Sequence, residues 1–125
     1  MTTKAAVRTT QEVANRLSEL FKENKWNEAQ DELFSEDAQS IEPPHAQGLQ
    51  TVKGIDNIKK KGQDFQSMVE EVHGGYAGEP IVAGNFIAVA MGMDVTLKGM
   101  GRKQMDEIAL YEVKGGKIVR EQFFY

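Results

Sequence analysis

The stretch GRKQMDEIALYEVKGGKIVREQFFY, residues 101–125, has the pattern of two long β-strands joined by a tight turn. The pair Gly115-Gly116 favours the turn, because glycine adopts positive φ angles without a steric penalty. On both sides of the turn, Glu107 and Glu121 alternate in step with apolar residues at a spacing of two, which is the repeat of a β-strand. The stretch therefore predicts a sheet face on which two carboxyl groups lie among hydrophobic side chains.

The register of this hairpin depends on the length of its turn. A three-residue loop, Lys114–Gly116, would place Glu107 opposite Phe123. A two-residue turn at Gly115-Gly116 would shift the pairing by one residue and place Glu107 beside Phe124. We predict the three-residue loop, because it collects the apolar residues of both strands on one face. These residues are Met105, Ala109, Tyr111, Val113, Val119, Phe123 and Tyr125.

Ahead of the hairpin, apolar residues at helical spacing predict three helices. The first follows Thr9 or Thr10, either of which would cap it. The second is short and covers residues 26–34. The third follows Gly54 and is predicted to continue to Gly74-Gly75, since glycine commonly ends helices.

Extended segments are predicted at residues 38–42, before the paired prolines, at residues 76–83 and at residues 85–98. The last is longer than a usual strand, and Gly92 is the expected position of a bend. Helices followed by hairpin-connected strands predict an α+β fold, in which three N-terminal helices pack on the concave face of a curved, mainly antiparallel (mixed) sheet. The expected shape is a cone with an apolar cavity.

The composition limits the possible functions. The chain has 125 residues and is expected to form one domain, residues 1–125, with residues 1–9 as a flexible segment. The formal net charge of -4 disfavours nucleic acid as a partner. The chain has no cysteine, and its two histidines, His45 and His73, lack the spacing of a metal site. We expect no cofactor, no metal and no membrane segment, and a cytoplasmic protein.

Three landmarks occur in a characteristic order. They are the segments Phe34–Ala38 (FSEDA), Gly54–Ile58 (GIDNI) and Gly116–Tyr125 (GKIVREQFFY). Together they resemble the SnoaL-like family of the nuclear transport factor 2-like superfamily, from about Thr10 to Tyr125. The resemblance implies the same cone fold. It does not specify a function, because the superfamily includes isomerases, cyclases, dehydratases, hydrolases and members without a known activity.

The resemblance implies two candidate catalytic residues. Glu42, an acid directly before proline, matches the proton-shuttling carboxylate of the steroid-isomerase branch, and Glu107 matches that branch's protonated donor to a developing oxyanion. The branch presents a tyrosine near the position of Ser18, so that donor is missing; Tyr111 or Tyr125 would have to replace it. The alternative interpretation is structural, with Glu42 at a rim and Glu107 satisfied by neighbouring polar groups.

Apolar alternation along residues 85–98 predicts a wall suited to a small apolar or carbonyl-containing ligand. The candidate ligand-binding residues are Leu17, Phe21, Phe65, Val89, Met91, Met93, Tyr111, Glu121, Phe123 and Tyr125. The outer sheet face should carry Ile108, Leu110 and Phe124, which suggests a homodimer. Three hypotheses follow: a ligand-binding protein, an acid/base isomerase or cyclase acting on a carbonyl compound, and a protein-interaction module using the outer face.

Overall fold

The computed structural model describes residues 7–46 and 48–125. The predicted flexible segment, residues 1–9, lies mostly outside this range; of its last residues, Arg8 and Thr9 make hydrogen bonds. Within these described residues there are three helices: α1 (Thr10–Lys22), α2 (Trp26–Leu33) and α3 (Ile55–Met68). The same part of the chain contains seven strands: β1 (Phe34–Ile41), β2 (Val52–Lys53), β3 (Val69–Ala77), β4 (Ile81–Ala83), β5 (Phe86–Leu97), β6 (Gly101–Lys114) and β7 (Lys117–Phe124).

The strands form one sheet in the order β2-β1-β7-β6-β5-β3, with β4 paired to β5. The β1–β7 pairing is parallel and the other pairings are antiparallel. The core lies between the helices and one face of the sheet, which confirms the predicted α+β fold. It includes Val13, Leu17, Leu20, Leu33, Ile58, Ile87, Val89, Ala109, Tyr111 and Ile118. Within the described residues, no helix is long and apolar enough to cross a membrane.

Helix α1 begins with a complete capping box. The Thr9 hydroxyl accepts a hydrogen bond from the backbone N–H of Glu12 at 3.1 Å, and the Glu12 carboxylate accepts one from the N–H of Thr9 at 2.9 Å. Two backbone donors that an α-helix leaves unpaired are therefore satisfied. Of the two predicted caps, Thr9 is the one used, and Thr10 is the first helical residue.

This capping box yields a stability prediction. Replacing Thr9 with alanine should lower the free energy of unfolding by about 1 kcal/mol, because the N–H of Glu12 loses its acceptor. The matched control is Thr10→Ala, which leaves the cap intact and should change stability by less than about 0.5 kcal/mol. Urea unfolding of both variants measures the difference. Equal effects of the two substitutions would contradict the assignment of Thr9 as the cap.

The end of the third helix differs from the prediction. Helix α3 ends at Met68, and the segment predicted to continue it to Gly74 is strand β3. Val72, which completed the apparent helical stripe, pairs with Val95 of β5 and is 65 % exposed. The edge of β5 thus supplies hydrogen bonds that override the local helical pattern. His73 lies within this strand, and its Nε2 is 2.7 Å from the Thr96 hydroxyl.

The hairpin turn also differs from the prediction. Lys114 pairs with Lys117, so the turn consists of Gly115 and Gly116, with φ angles of 58° and 76°. The predicted three-residue loop is therefore wrong. The two positive φ angles match a type I′ turn, whose twist suits two adjoining strands.

A bulge in β7 restores the predicted faces of the hairpin. Val113 pairs with Ile118 but Glu112 pairs with Arg120, so Val119 is an extra residue. Beyond the bulge, Tyr111 lies opposite Glu121, two residues from the predicted register. A shift of two preserves the face of every side chain, so Glu121 still points inward. The exception is next to the turn, where Ile118 and not Val119 is buried in the core.

Strand β5 pairs without interruption through Gly92, and the irregularities in its β3 pairing lie between Val69 and Gly74. Gly92 is therefore not a bulge. Its lack of a side chain provides space, because a Cβ there would lie 2.5 Å from Asp106 Oδ1 and 2.6 Å from Tyr76 Cε1. These two side chains hydrogen-bond to each other across the outer face at 2.9 Å.

Candidate functional site

Strand β1 brings polar side chains into the interior. Its alternation buries Ala38 and Ser40, and Glu42, directly after the strand, continues the same pattern. Because β1 pairs with β7 in parallel, Ser40 lies opposite Glu121. The carboxyl groups of Glu42 and Glu121 and the Ser40 hydroxyl therefore lie in one region of the interior, although Glu121 is far from the other two along the chain.

Helix α3 adds a cation to these groups. Lys61 follows Ile58 by one helical turn, so it lies on the buried side of the helix, and its ammonium is 5.5 Å from the centre of the Phe123 ring. Its Nζ donates to Glu42 Oε2 at 2.7 Å. The side chains of Lys61 and Glu42 are only 12 and 5 % exposed. This is a largely desolvated ion pair.

A chain of hydrogen bonds connects the cluster. Tyr125 donates its phenolic hydrogen to Glu42 Oε1 at 2.7 Å. Lys61 Nζ also donates to Ser40 Oγ at 2.6 Å, and Ser40 Oγ donates to Glu121 Oε1 at 2.7 Å. Both oxygens of the Glu42 side chain therefore accept hydrogen bonds.

Glu107 is the third carboxyl group of the cluster, and within the described residues its side chain makes no hydrogen bond. It lies on β6, opposite Met91 of β5. Burial raises the pKa of Glu107 to about 7, and the charges of Glu42 and Glu121 add to the rise, while Lys61 opposes it. Glu107 is therefore protonated in slightly acidic solution and titrates near neutrality.

Glu121 titrates in the same range for a related reason. Its burial raises the pKa to about 7, the hydrogen bond from Ser40 and the charge of Lys61 work against this rise, and the charge of Glu42 adds to it. Burial also raises the pKa of Tyr125, and its hydrogen bond to Glu42 acts in the same direction. Near pH 7 the phenol is therefore a hydrogen-bond donor and not a phenolate.

The cluster thus holds carboxyl groups in two different environments. The Glu42 side chain pairs with an ammonium and a phenol, whereas Glu107 makes no hydrogen bond among the described residues and has a pKa raised by burial to about 7. Neighbouring carboxyl groups in different environments are suited to different roles in acid/base catalysis. Within residues 7–46 and 48–125, no group of three or more His, Cys, Asp or Glu side chains is arranged to hold a metal ion.

The structure brings both candidate catalytic residues, Glu42 and Glu107, into one cluster, together with Glu121 and Tyr125 of the candidate ligand-binding residues. Ser18 is half-buried on α1, and the phenol beside Glu42 comes from the chain end. His45, in the loop after β1, packs edge-on against the Tyr125 ring, with 5.7 Å between the two ring centres.

The other candidate ligand-binding residues divide into two groups by burial. Leu17, Phe21, Val89, Met91 and Tyr111 are buried in the core, whereas Phe65, Met93 and Phe123 are half-buried. Two clefts, of about 470 and 370 Å³, lie at the start of α3 and beside the β6–β7 turn. Glu42 and Glu107 line neither cleft, so the apolar cavity expected from the sequence does not coincide with either of them.

Two site residues, Lys61 and Ser40, were missed in the sequence. Lys61 belongs to the run Lys59-Lys60-Lys61, but it stands on the apolar stripe of Ile58 and Phe65. A single charged residue on an apolar helical stripe could have identified Lys61 as a site residue. The sequence feature that could have identified Ser40 is weaker: it is a small polar residue at an inward position of β1.

Comparisons with known proteins identify similar sequences and structures. A profile of the SnoaL-like domain matches residues 8–125. A protein of Mesorhizobium loti, described as a proposed SnoaL-like polyketide cyclase, is 35 % identical, with a TM-score of 0.87 over 94 % of this chain and 100 % of its own. Among curated proteins, no similar sequence was found.

More distant structures share the fold alone. A proposed isomerase from Bacillus subtilis is 16 % identical, with a TM-score of 0.71 over 93 % of this chain and 88 % of its own. A Xanthomonas campestris protein of unknown function with a cystatin-like fold is 15 % identical, with a TM-score of 0.76 over 94 % of this chain and 90 % of its own. The same cone of helices and sheet therefore occurs at low sequence identity.

Proposed function

Since the chain belongs to the SnoaL-like domain family, we propose that it is a cofactor-independent acid/base enzyme that isomerises or cyclises a small carbonyl compound. One observation carries the proposal: Glu42, Glu107 and Glu121 converge on a single lysine, which contacts Glu42 directly, and burial raises the pKa of the other two to about 7. The relation to a proposed polyketide cyclase agrees with this class of reaction.

The proposed chemistry divides proton transfer between two carboxyl groups. The Glu42 carboxylate removes a proton from the carbon next to a substrate carbonyl. The protonated Glu107 donates a hydrogen bond to the oxygen that becomes negative in the enolate, which stabilises the transition state. If the substrate has a C=C bond one carbon further along, the anion is a dienolate, and Glu42 returns the proton to its far carbon as the double bond moves into conjugation, which completes an isomerisation. In a cyclisation, the enolate carbon instead attacks a second carbonyl carbon of the same substrate, the π bond of that carbonyl breaks, and its oxygen takes the proton from Glu42.

The charges of the cluster favour an uncharged substrate. Lys61 is its only cation among the described residues, and two of its N–H groups already bind Glu42 and Ser40. A carboxylate or phosphate on the substrate would lie near up to three carboxylates without a free positive partner. Apolar groups border the cluster at Met91 and Phe123, so the substrate is expected to be a small neutral ketone with an apolar body.

The experiment measures exchange of α-protons in D₂O by ¹H NMR, with methyl levulinate as a neutral ketone and levulinate as its anionic counterpart. We expect the protein to accelerate exchange of the ester over buffer, and to act much less on the acid. Glu42→Gln should slow the catalysed rate by about 100-fold or more, and Glu107→Gln by roughly tenfold or more. Glu112→Gln is the matched control, because Glu112 pairs with Arg120 outside the cluster.

Two outcomes would overturn the catalytic proposal. If α-proton exchange proceeds at the buffer rate for methyl levulinate and for a wider panel of neutral ketones, the proposed activity is absent. If Glu42→Gln and Glu107→Gln both keep full activity, these residues do not have the catalytic roles assigned to them. A ligand-induced rise of the melting temperature without turnover would instead favour the second candidate function, binding of a small apolar ligand, which the half-buried Phe65, Met93 and Phe123 support.

Assembly is a separate part of the proposal. Ile108 and Phe124 are about half exposed and lie opposite each other on the outer sheet face. We propose that this face pairs two copies of the protein in the cytoplasm, since an exposed apolar patch on a sheet favours association. Sedimentation as a monomer at micromolar concentration would contradict the dimer and leave the outer face for a different protein partner.

A further inference from the structure

Glu121 is a buried carboxyl group that the proposed proton transfer does not use. It is 6 % exposed, and its partner Ser40 is fully buried. Ser40 donates a hydrogen bond to Glu121 Oε1 at 2.7 Å across the parallel β1–β7 pairing. A carboxyl group at such depth is costly unless its surroundings compensate for the lost water, so its presence calls for a physical explanation.

Ser40 joins Glu121 to the lysine of the cluster. The Ser40 oxygen accepts a hydrogen bond from Lys61 Nζ at 2.6 Å, while its single hydrogen is directed to Glu121. Lys61 therefore stands between two carboxyl groups. It contacts Glu42 directly at 2.7 Å and reaches Glu121 through one hydroxyl.

We infer that Glu121 is a positioning residue, which through Ser40 holds the Lys61 ammonium against Glu42. The charge of Glu121 thereby sets how strongly Lys61 interacts with Glu42. When Glu121 is neutral, Lys61 compensates Glu42 alone. When Glu121 is ionised, Lys61 is shared between two anions, and Glu107 faces a further negative charge. The inference deepens the proposed function and depends on it for any effect on turnover, but the arrangement itself is measurable without a substrate.

The titratable groups around Glu121 come from three elements. They are Glu42 at the end of β1, Lys61 of α3, and Glu107 and Tyr111 of β6. Among the described residues that face Glu121, Lys61 is the only cation, so loss of the Glu121 charge should favour ionisation of Glu107. Glu107 is the most informative reporter, because both neighbouring carboxylates raise its pKa.

The first test follows the Glu107 carboxyl carbon by ¹³C NMR as the pH is varied, in the wild type and in Glu121→Gln. Glutamine keeps the shape and accepts the hydrogen bond from Ser40 but carries no charge. We expect the midpoint of the Glu107 titration to fall by about half a pH unit or more. Glu112→Gln is the matched control and should leave this midpoint unchanged.

The second test measures how fast the Lys61 ammonium hydrogens exchange with water, by ¹H–¹⁵N NMR. Ser40→Ala removes the link between Lys61 and Glu121 and should accelerate this exchange roughly tenfold, the effect of losing one charge-assisted hydrogen bond. This variant also provides the decisive measurement if Glu121→Gln does not fold.

The outcomes separate this inference from the proposed function. Faster Lys61 exchange in Ser40→Ala would support the positioning role, even if no ketone were turned over and the catalytic proposal failed. Unchanged Lys61 exchange would overturn it whatever the Glu107 midpoint does, because the charge of Glu121 also acts on Glu107 directly. If catalysis is found, its activity at high pH should decline at a lower pH in Glu121→Gln, a change that a purely structural role would not cause.

Discussion

Replacing Lys61 with methionine should lower the free energy of unfolding by about 3 to 5 kcal/mol near neutral pH, because it leaves a buried carboxylate without its cation. Methionine keeps the length and the apolar stem of the side chain, so packing against Phe123 is largely retained. Glu42 would keep only the hydrogen bond from Tyr125.

Urea unfolding of Lys61→Met and of its neighbour variant Lys60→Met measures this effect. Lys60 is exposed, and its replacement should change stability by no more than about 0.5 kcal/mol. The double variant Lys61→Met/Glu42→Gln should recover much of the lost stability, since the unpaired charge is then absent. If Lys61→Met proved as mild as Lys60→Met, the ion pair would not be a buried element of the folded protein.

Glu107 and Glu121 are expected to make the protein less stable as the pH rises from about 4.5 to about 7. Both have an ordinary pKa of 4.5 and a pKa of about 7 in the folded protein. Between these values the folded state keeps protons that the unfolded chain has released, so each increase of pH favours unfolding. A difference of this size corresponds to on the order of 3 kcal/mol for each group, fully lost once the pH exceeds the folded-state pKa.

Other acids are expected to make the protein less stable at low pH. The hydrogen bond and charge of Arg16, with those of Arg8, lower the pKa of Glu32, and Arg102 lowers that of Asp94. Their stabilising contributions are present above their ordinary pKa values and are lost as the pH falls through the lowered ones. Maximum stability is therefore expected at mildly acidic pH, near pH 5.

Urea unfolding at a series of pH values from about 5 to 8, at constant ionic strength, tests this dependence. Glu107→Gln should remove roughly half of the decline, because glutamine cannot ionise. The control Glu112→Gln, outside the cluster, should retain the full decline. Stability that stays constant or rises over this range would show that the two carboxyl groups are not buried as described.

The candidate site was predictable in part. The alternation of residues 101–125 placed Glu107 and Glu121 inward, and the faces are confirmed even though the predicted turn was wrong. Two differences from the predicted hairpin offset each other in their effect on the side-chain faces. The turn is shorter and β7 has a bulge at Val119, and together they shift the register by an even number of residues, which keeps each side chain on its face. The family was also recognisable, because three short landmarks kept their order along the chain.

Local pattern failed where a longer-range contact competed with it. Helix α3 was predicted to include Val72 because of its spacing, but pairing with Val95 places that residue in strand β3. Lys61 was not among the candidate site residues, because a sequence does not show which groups lie across a helix–sheet interface. Both failures concern the same limit: propensity describes neighbours along the chain, whereas packing is decided by neighbours in space.

The sequence by itself determined the three helices and their order, the inward face of the final hairpin and the membership of the SnoaL-like family, because these depend on periodicity and on the order of short motifs. The tertiary structure alone decided that Glu42, Lys61, Ser40, Glu121 and Tyr125 form one hydrogen-bonded cluster. These partners are separated by 19 to 83 residues along the chain. They meet only because β1 pairs in parallel with β7 and α3 packs beside that pairing, and no local pattern specifies either contact.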